Sequence, residues 1–156
     1  MKVWGAVCIL FGALYSFLQF RQQMTFAIHL KRSLVSDLAV LKNGVCVYHR
    51  TIPAICDVEL KNSFSAPYLW IPLRKFLQEN NHSAQWCWEK AACDLPDSIG
   101  LHIGMLGPLL GRGGEGFARA VDEVRENLLE DIRAEESRMS SSLRLSGACF
   151  LILILV

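Results

Sequence analysis

Several features that would point to a chemical function are missing from this sequence. The chain of 156 residues has a formal net charge of +1, so its total charge gives no support for nucleic-acid binding. Its six cysteines form no C-x-x-C pair, and together with four histidines they lack the paired spacing of zinc sites. No serine or cysteine lies in a nucleophile elbow. We therefore expect a protein that is not an enzyme and that uses no metal or cofactor.

A glycine-rich stretch, LGPLLGRGGEG at residues 106–116, resembles a phosphate-binding loop in composition. A P-loop needs a lysine followed by serine or threonine, whereas Arg112 and Gly113 follow Gly111 here. A dinucleotide-binding loop follows a strand, whereas an apolar helix is predicted before this stretch. Nucleotide binding is therefore not predicted.

The spacing of these glycines predicts a packing surface followed by a chain reversal. Four glycines between residues 100 and 111 recur every three or four residues, so they share one helix face that another backbone can approach closely. Two glycines further on are expected to adopt the positive φ angles of a helix C-cap and a turn. The glycine face and the turn comprise Gly100, Gly104, Gly107, Gly111, Gly113 and Gly114.

Apolar residues are concentrated at the two ends of the chain. Residues 3–20 carry no charge and would form a helix of about 27 Å, close to the ~30 Å hydrocarbon core of a bilayer. No signal-peptide cleavage site follows them, which favours an uncleaved anchor. A C-terminal helix that starts at Met139 would also reach about 27 Å, but its added first turns include three consecutive serines and Arg144. These lengths predict a transmembrane helix over residues 1–20 and a short membrane segment over residues 139–156.

The charges that flank these segments predict their orientation. Three basic residues between positions 21 and 32 follow the first apolar run, and Arg138 and Arg144 adjoin the second. Only Lys2 lies on the other side of the first run. The positive-inside rule therefore places residues 21–138 in the cytoplasm and both termini across the membrane.

The periodicity of residues 21–138 is helical throughout, with no alternating strand pattern of useful length. The first helix is expected to continue to about Asn43 and Gly44, and residues 98–110 to form one short apolar helix. Other helix starts are predicted at Thr51–Pro53, at Pro67 or Pro72, at Ser83 and at Glu115. The predicted fold is all-α: a compact bundle of about six helices whose first and last helices extend into the membrane.

Charge is unevenly distributed within residues 21–138. Residues 115–138 hold eight acids and four arginines, whereas residues 21–112 hold ten basic and seven acidic residues. A solvated helix face is the usual explanation of such a run, and a partner surface is the alternative. The candidate partner contacts are Arg74, Lys75, Arg112, Glu123 and Glu126.

The order of motifs along the chain resembles the stage III sporulation protein AB family of endospore-forming bacteria. Each motif alone is weak, and their order and spacing over nearly the whole length carry the resemblance. The chain departs from the family at residues 112–116, which replace a polar turn and a glutamine-containing helix start. The matching motifs are Asp37-Leu38-x-x-Leu41, Thr51-Ile52-Pro53, Leu95-Pro96, Leu106-Gly107-x-x-Leu110-Gly111 and Glu135-Glu136.

The resemblance implies a component of the secretion-like channel that joins mother cell and forespore, in the mother-cell membrane around the forespore. Its cytoplasmic domain would resemble the inner-membrane platform domain of type II secretion and type IV pilus systems. Its partners would be the cytoplasmic ATPase of the channel, stage III sporulation protein AA, and other channel components. The residues leave a second reading open: a small membrane-anchored regulator or enzyme that binds a hydrophobic or anionic ligand in a glycine-faced groove. They also leave open whether the chain forms homo-oligomers.

Overall fold

The computed structural model describes residues 2–79, 83–110 and 114–155, and every regular element there is helical. The six α-helices confirm the predicted all-α bundle. Two π-helical turns, Cys56–Leu60 and Ala66–Trp70, and a 3-10 turn, Gly107–Leu109, lie between them. The α-helices are α1 (Lys2–Cys46), α2 (Ile52–Ile55), α3 (Ile71–Gln78), α4 (Ala84–Cys93), α5 (Asp97–Gly104) and α6 (Gly114–Leu155).

The chain divides into two compact units. The core unit is Leu30–Ile132, and the terminal unit combines Met1–His29 with Arg133–Val156. In the terminal unit, large apolar side chains of α1 are exposed at Phe11, Leu14, Tyr15, Leu18 and Phe20. None of the helices within the described residues combines the length and the apolarity needed to cross a membrane.

The core unit is held together by apolar stripes on its two long helical segments. Each stripe repeats every three or four residues, which places its members on one face of the helix. The α1 stripe comprises Leu30, Leu34, Leu38 and Leu41, and the α6 stripe comprises Phe117, Val121, Val124, Leu128 and Ile132. Trp70 and Trp88 are also buried, with their rings in an edge-to-face arrangement and their centroids 5.8 Å apart. Burial of these side chains provides most of the driving force for folding of the unit.

The end of α1 lies two residues beyond the position predicted from Gly44. A Cβ atom on Gly44 would lie 2.5 Å from a side-chain carbon of Ile55, so this glycine allows close packing of α2 on α1. The chain reverses after Cys46 instead, where the amides of Val47 and Tyr48 both donate to the carbonyl of Asn43. Gly44 is therefore a packing residue inside α1 and not the end of the helix.

Residues 98–110 do not form the single helix that the sequence predicts. It contains the end of α5 at Gly104 and the separate 3-10 turn that begins at Gly107. Pro108 has no backbone N–H to continue an α-helical ladder, which explains the change of geometry. The predicted cap at Ser83 is present, since its hydroxyl accepts a hydrogen bond of 3.2 Å from the amide of Trp86.

Candidate docking surfaces

A buried polar network fixes α1 against the segment that leads into α3. Asp37 is 6% exposed, and one of its carboxylate oxygens accepts hydrogen bonds from the hydroxyls of Ser63 and Ser65 and from the indole N–H of Trp70. The Ser63 bond measures 2.6 Å and the Trp70 bond 2.9 Å. Ser33 extends the network, because its hydroxyl accepts from the amide of Ser65. These contacts give the aspartate of the D-L-x-x-L motif a role in the fold.

A second polar cluster joins α1, α5 and α6 within the core unit. Lys31 is only 2% exposed, and its ammonium group lies 3.1 Å from a carboxylate oxygen of Asp131. The Nε2 atom of His102 lies 3.9 Å from the same oxygen. In the sequence Lys31 is one of the basic residues that follow the first apolar run, whereas its side chain here is buried in an ion pair. The removal of such a charge from water is costly, and so loss of the Asp131 carboxylate is expected to destabilise the fold.

The described residues that carry metal-binding and nucleophilic side chains do not gather into a reactive centre. No group of three or more His, Cys, Asp or Glu among them is placed to hold a metal ion. Burial raises the pKa of the Cys56 thiol from 9.0 to about 11, and burial also raises the pKa of Cys87. Both thiols are therefore protonated and weakly nucleophilic near neutral pH. Cys93, by contrast, is exposed.

An open groove of about 600 Å³ lies between α4 and α5, and we call it the α4–α5 groove. Its lining includes Glu89 and Cys93 of α4. Leu101 and Gly104 of α5 also line it, together with Met105, which directly follows α5. Leu101 is 64% exposed and Met105 is 57% exposed, so apolar side chains of this groove face solvent. Glu89 supplies the one charge among the described residues that line it. The groove is thus an apolar surface with a single acidic group.

The predicted glycine face divides into two kinds of position. A Cβ atom on Gly100 would lie 2.7 Å from the carbonyl oxygen of Ala92, so α4 and α5 approach closely there. A Cβ atom on Gly104 would meet nothing within 4 Å, because this glycine faces the α4–α5 groove. Gly107 is buried, and its Cβ would lie 3.2 Å from the side chain of Glu89.

The turn predicted after the glycine face is only partly described. Gly111, Arg112 and Gly113 lie outside the described residues. Gly114 has a φ angle of +74° and is the first residue of α6. This backbone conformation favours glycine, because a side chain would strain it.

Of the basic candidates, Lys75 belongs to an exposed and mainly apolar ridge, and Arg74 lies next to that ridge. We define the 64–75 ridge as Phe64, Tyr68, Ile71 and Lys75, which follow one another at intervals of three or four residues. The rings of Phe64 and Tyr68 are 6.3 Å apart between centroids, and Ile71 is 54% exposed. Next to the ridge, Arg74 forms an ion pair with Asp57. The ridge therefore combines exposed apolar side chains with the positive charge of Lys75.

The acidic candidates lie on the solvent side of α6. Glu123 and Glu126 are both exposed. The neighbouring Asp122 faces the bundle instead, where its carboxylate lies 2.6 Å from the ammonium group of Lys42. The acidic helix therefore has one set of charges that holds the bundle together and another that is available to solvent.

The sequence alone did not indicate the 64–75 ridge or the openness of the groove at Gly104. Tyr68 of the ridge lies in a π-helical turn, Ala66–Trp70, which sequence periodicity did not reveal. The comparisons with known proteins do not supply a function: the chain matches no family model, no curated protein and no solved structure.

Proposed function

We propose that this chain is a non-enzymatic, membrane-anchored platform component of the secretion-like channel between mother cell and forespore. In this function the core unit docks the cytoplasmic ATPase of the channel, and the chain has no catalytic chemistry of its own. The proposal starts from the resemblance to the stage III sporulation protein AB family and from the six-helix fold which that resemblance implies.

The observation that carries the proposal is the role of the motif residues in the core unit. Leu38, Leu41, Leu106 and Leu110 are all buried in one hydrophobic cluster. Asp37 accepts three hydrogen bonds from residues far along the chain. Motifs that were matched only by their order thus coincide with residues that determine the fold. This coincidence supports a shared fold, from which the shared function is inferred.

Anchoring in the mother-cell membrane is the second part of the proposal. Support comes from the uncharged run of residues 3–20 and from the exposed apolar side chains between Phe11 and Phe20 on α1. Such side chains are costly in water and favourable in a bilayer. In sporulating cells, alkaline carbonate washing should leave the protein in the membrane pellet. Release into the supernatant would contradict anchoring.

Docking of the ATPase is expected to use charged surfaces of the core unit. The basic candidates are Lys75 of the ridge and Arg74 next to it, with Arg112 outside the described residues, and the acidic candidates are Glu123 and Glu126. Binding of the purified full chain to the ATPase can be measured with two charge-reversal variants, Arg74→Glu/Lys75→Glu and Glu123→Lys/Glu126→Lys. Loss of binding in one variant, with retention in the other, would identify the docking side. Equal binding of both variants and the native chain would exclude these candidates.

The α4–α5 groove favours a second candidate function, a membrane-anchored regulator or enzyme that binds a small ligand there. The groove contains Gly104 and apolar side chains. A ligand site of this kind would be expected to include Gly107 and the tryptophans as well, but neither Gly107 nor a tryptophan is among the described residues that line the groove. Small-molecule sites usually enclose most of the ligand surface, whereas Leu101 and Met105 leave this groove open. Ligand-induced stabilisation of the full chain by fatty acids or anionic metabolites would favour this candidate over the platform.

A further inference from the structure

We propose that the 64–75 ridge of one copy of this chain docks into the α4–α5 groove of a second copy. The contact would be heterologous, since it joins two different surfaces. It concerns assembly of the chain with itself and requires neither the channel nor the ATPase.

The shapes of the two surfaces are complementary. The groove is concave because Gly104 has no side chain: a Cβ atom there would meet nothing within 4 Å. The ridge side chains are exposed, with Ile71 and Lys75 one helical turn apart on α3 and Tyr68 three residues before Ile71. An exposed aliphatic side chain such as Ile71 fits the space above a glycine. Apolar anchors that fill such spaces commonly provide most of the affinity at protein interfaces.

The charges of the two surfaces are complementary as well. Glu89 is the one charged residue among the described residues that line the groove. On the ridge, the Lys75 side chain is 71% exposed, and it forms a loose ion pair of 3.7 Å with Glu79 at the end of the same helix. Exposed pairs of this type contribute little, so Lys75 can change its partner at low cost. A Glu89–Lys75 contact between copies would fix the register in which Ile71 enters the groove.

These features favour a second copy bound through two different surfaces over a symmetric contact. Two grooves placed face to face would leave the space at Gly104 empty and would bring two Glu89 carboxylates together. Two ridges would similarly bring two Lys75 side chains together. A heterologous contact avoids both conflicts, and its repetition produces a closed ring or an open array.

Thiol crosslinking of the purified full chain in mild detergent tests the contact directly. One tagged chain keeps Cys93 in the groove, with Cys8, Cys46 and Cys149 replaced by alanine. A second chain with a different tag has these replacements together with Cys93→Ala and Arg74→Cys, a position next to the ridge that leaves all four ridge residues in place. Cys56 and Cys87 remain in both chains, since burial raises the pKa of each and keeps them unreactive. A short bis-maleimide reagent should then join the two tags in one product.

The matched control replaces Arg74→Cys with Arg119→Cys on α6. The Arg119 side chain is 83% exposed and lies outside both surfaces, so random collisions would favour the control. We expect at least about tenfold more crosslinked product from the Arg74→Cys chain than from the control, because only docking of the ridge brings this cysteine close to Cys93. Equal yields from the two chains would overturn the proposal.

Two further variants separate docking from misfolding. Gly104→Met should fill the groove and lower the crosslinked yield about tenfold, whereas Gly104→Ala should leave most of the yield. Circular dichroism and the denaturation midpoint should show that both variants are folded. Undiminished crosslinking in a folded Gly104→Met chain would contradict the proposal.

A charge exchange tests the register of the contact. Glu89→Lys alone and Lys75→Glu alone should each weaken the concentration-dependent self-association seen by analytical ultracentrifugation. The double variant Glu89→Lys/Lys75→Glu restores the opposite charges between copies and should recover association. A double variant that associates no better than the single variants would refute the Glu89–Lys75 contact. A native chain that stays monomeric at every concentration and gives no crosslink would refute the whole proposal.

Discussion

The sharpest prediction about the fold concerns removal of the Asp37 carboxylate. One oxygen of this side chain accepts hydrogen bonds from Ser63, Ser65 and Trp70, and the carboxylate is 6% exposed. Asp37→Ala removes the acceptor that these three donors share. Because the donors belong to the segment that leads into α3, the change should loosen that segment from α1.

The magnitude follows from the alternatives left to each donor. A hydrogen bond to a charged group contributes about 1.5–3 kcal/mol, and a simple sum over three bonds would overestimate the effect. The indole N–H of Trp70 also lies 2.7 Å from the hydroxyl of Ser65, and the hydroxyls of Ser33 and Ser63 are 2.7 Å apart. The substitution also removes the cost of burying the carboxylate. We therefore expect Asp37→Ala to lower the free energy of unfolding by about 2–4 kcal/mol.

Urea denaturation of the full chain in mild detergent, followed by tryptophan fluorescence and far-UV circular dichroism, measures this loss. With a slope of about 2 kcal/mol per molar urea, the middle of the usual range, the midpoint should fall by roughly 1–2 M. Asp37→Asn keeps an oxygen acceptor and should cost about half as much. Glu126→Ala is the control, and a change at this exposed position should stay within about 0.5 kcal/mol. If Asp37→Ala changes stability no more than the control, the network does not hold α1 to the segment before α3.

Two further predictions follow from the packing of α5 and from thiol burial. Gly100→Ala should destabilise the chain by about 1–3 kcal/mol, because its Cβ would lie 2.7 Å from the carbonyl oxygen of Ala92. Gly104→Ala, by contrast, should be neutral or slightly stabilising. Equal denaturation midpoints for the two variants would contradict this packing. With a pKa of about 11 instead of 9.0, Cys56 should have an about hundredfold smaller thiolate fraction at pH 8. Peptide mass spectrometry after brief alkylation should therefore find Cys93 modified well before Cys56, and comparable labelling would refute the burial argument.

Local sequence patterns predicted the helices correctly where the apolar residues that repeat at helical spacing are also the buried ones. The stripe from Phe117 to Ile132 repeats at helical spacing and is buried on α6. Ser83 caps α4 because a serine before an apolar segment satisfies an N-terminal amide, which is a local interaction. Such features depend on residues near one another in the chain, and so the sequence alone contains the necessary information.

Features that depend on distant residues were not predictable in the same way. The sequence predicts that α1 ends near Gly44, but this glycine allows the close approach of Ile55. Only the packed structure reveals that contact. In the sequence Lys31 is a basic residue that flanks the first apolar run. In the fold it pairs with Asp131, a hundred positions further along the chain. The candidate docking surfaces are of this kind too: Gly104 borders an open groove only because α4 and α5 meet at Gly100.

The central claim is that this chain is a platform which holds the channel ATPase at the mother-cell membrane. Affinity purification of the tagged chain from membranes of sporulating cells, with mass spectrometry of co-purifying proteins, tests it most directly. The claim predicts recovery of the ATPase with the full chain, and its loss from a chain that lacks residues 21–138. Absence of every channel component after gentle extraction, together with equal abundance of the protein in vegetative cells, would contradict it.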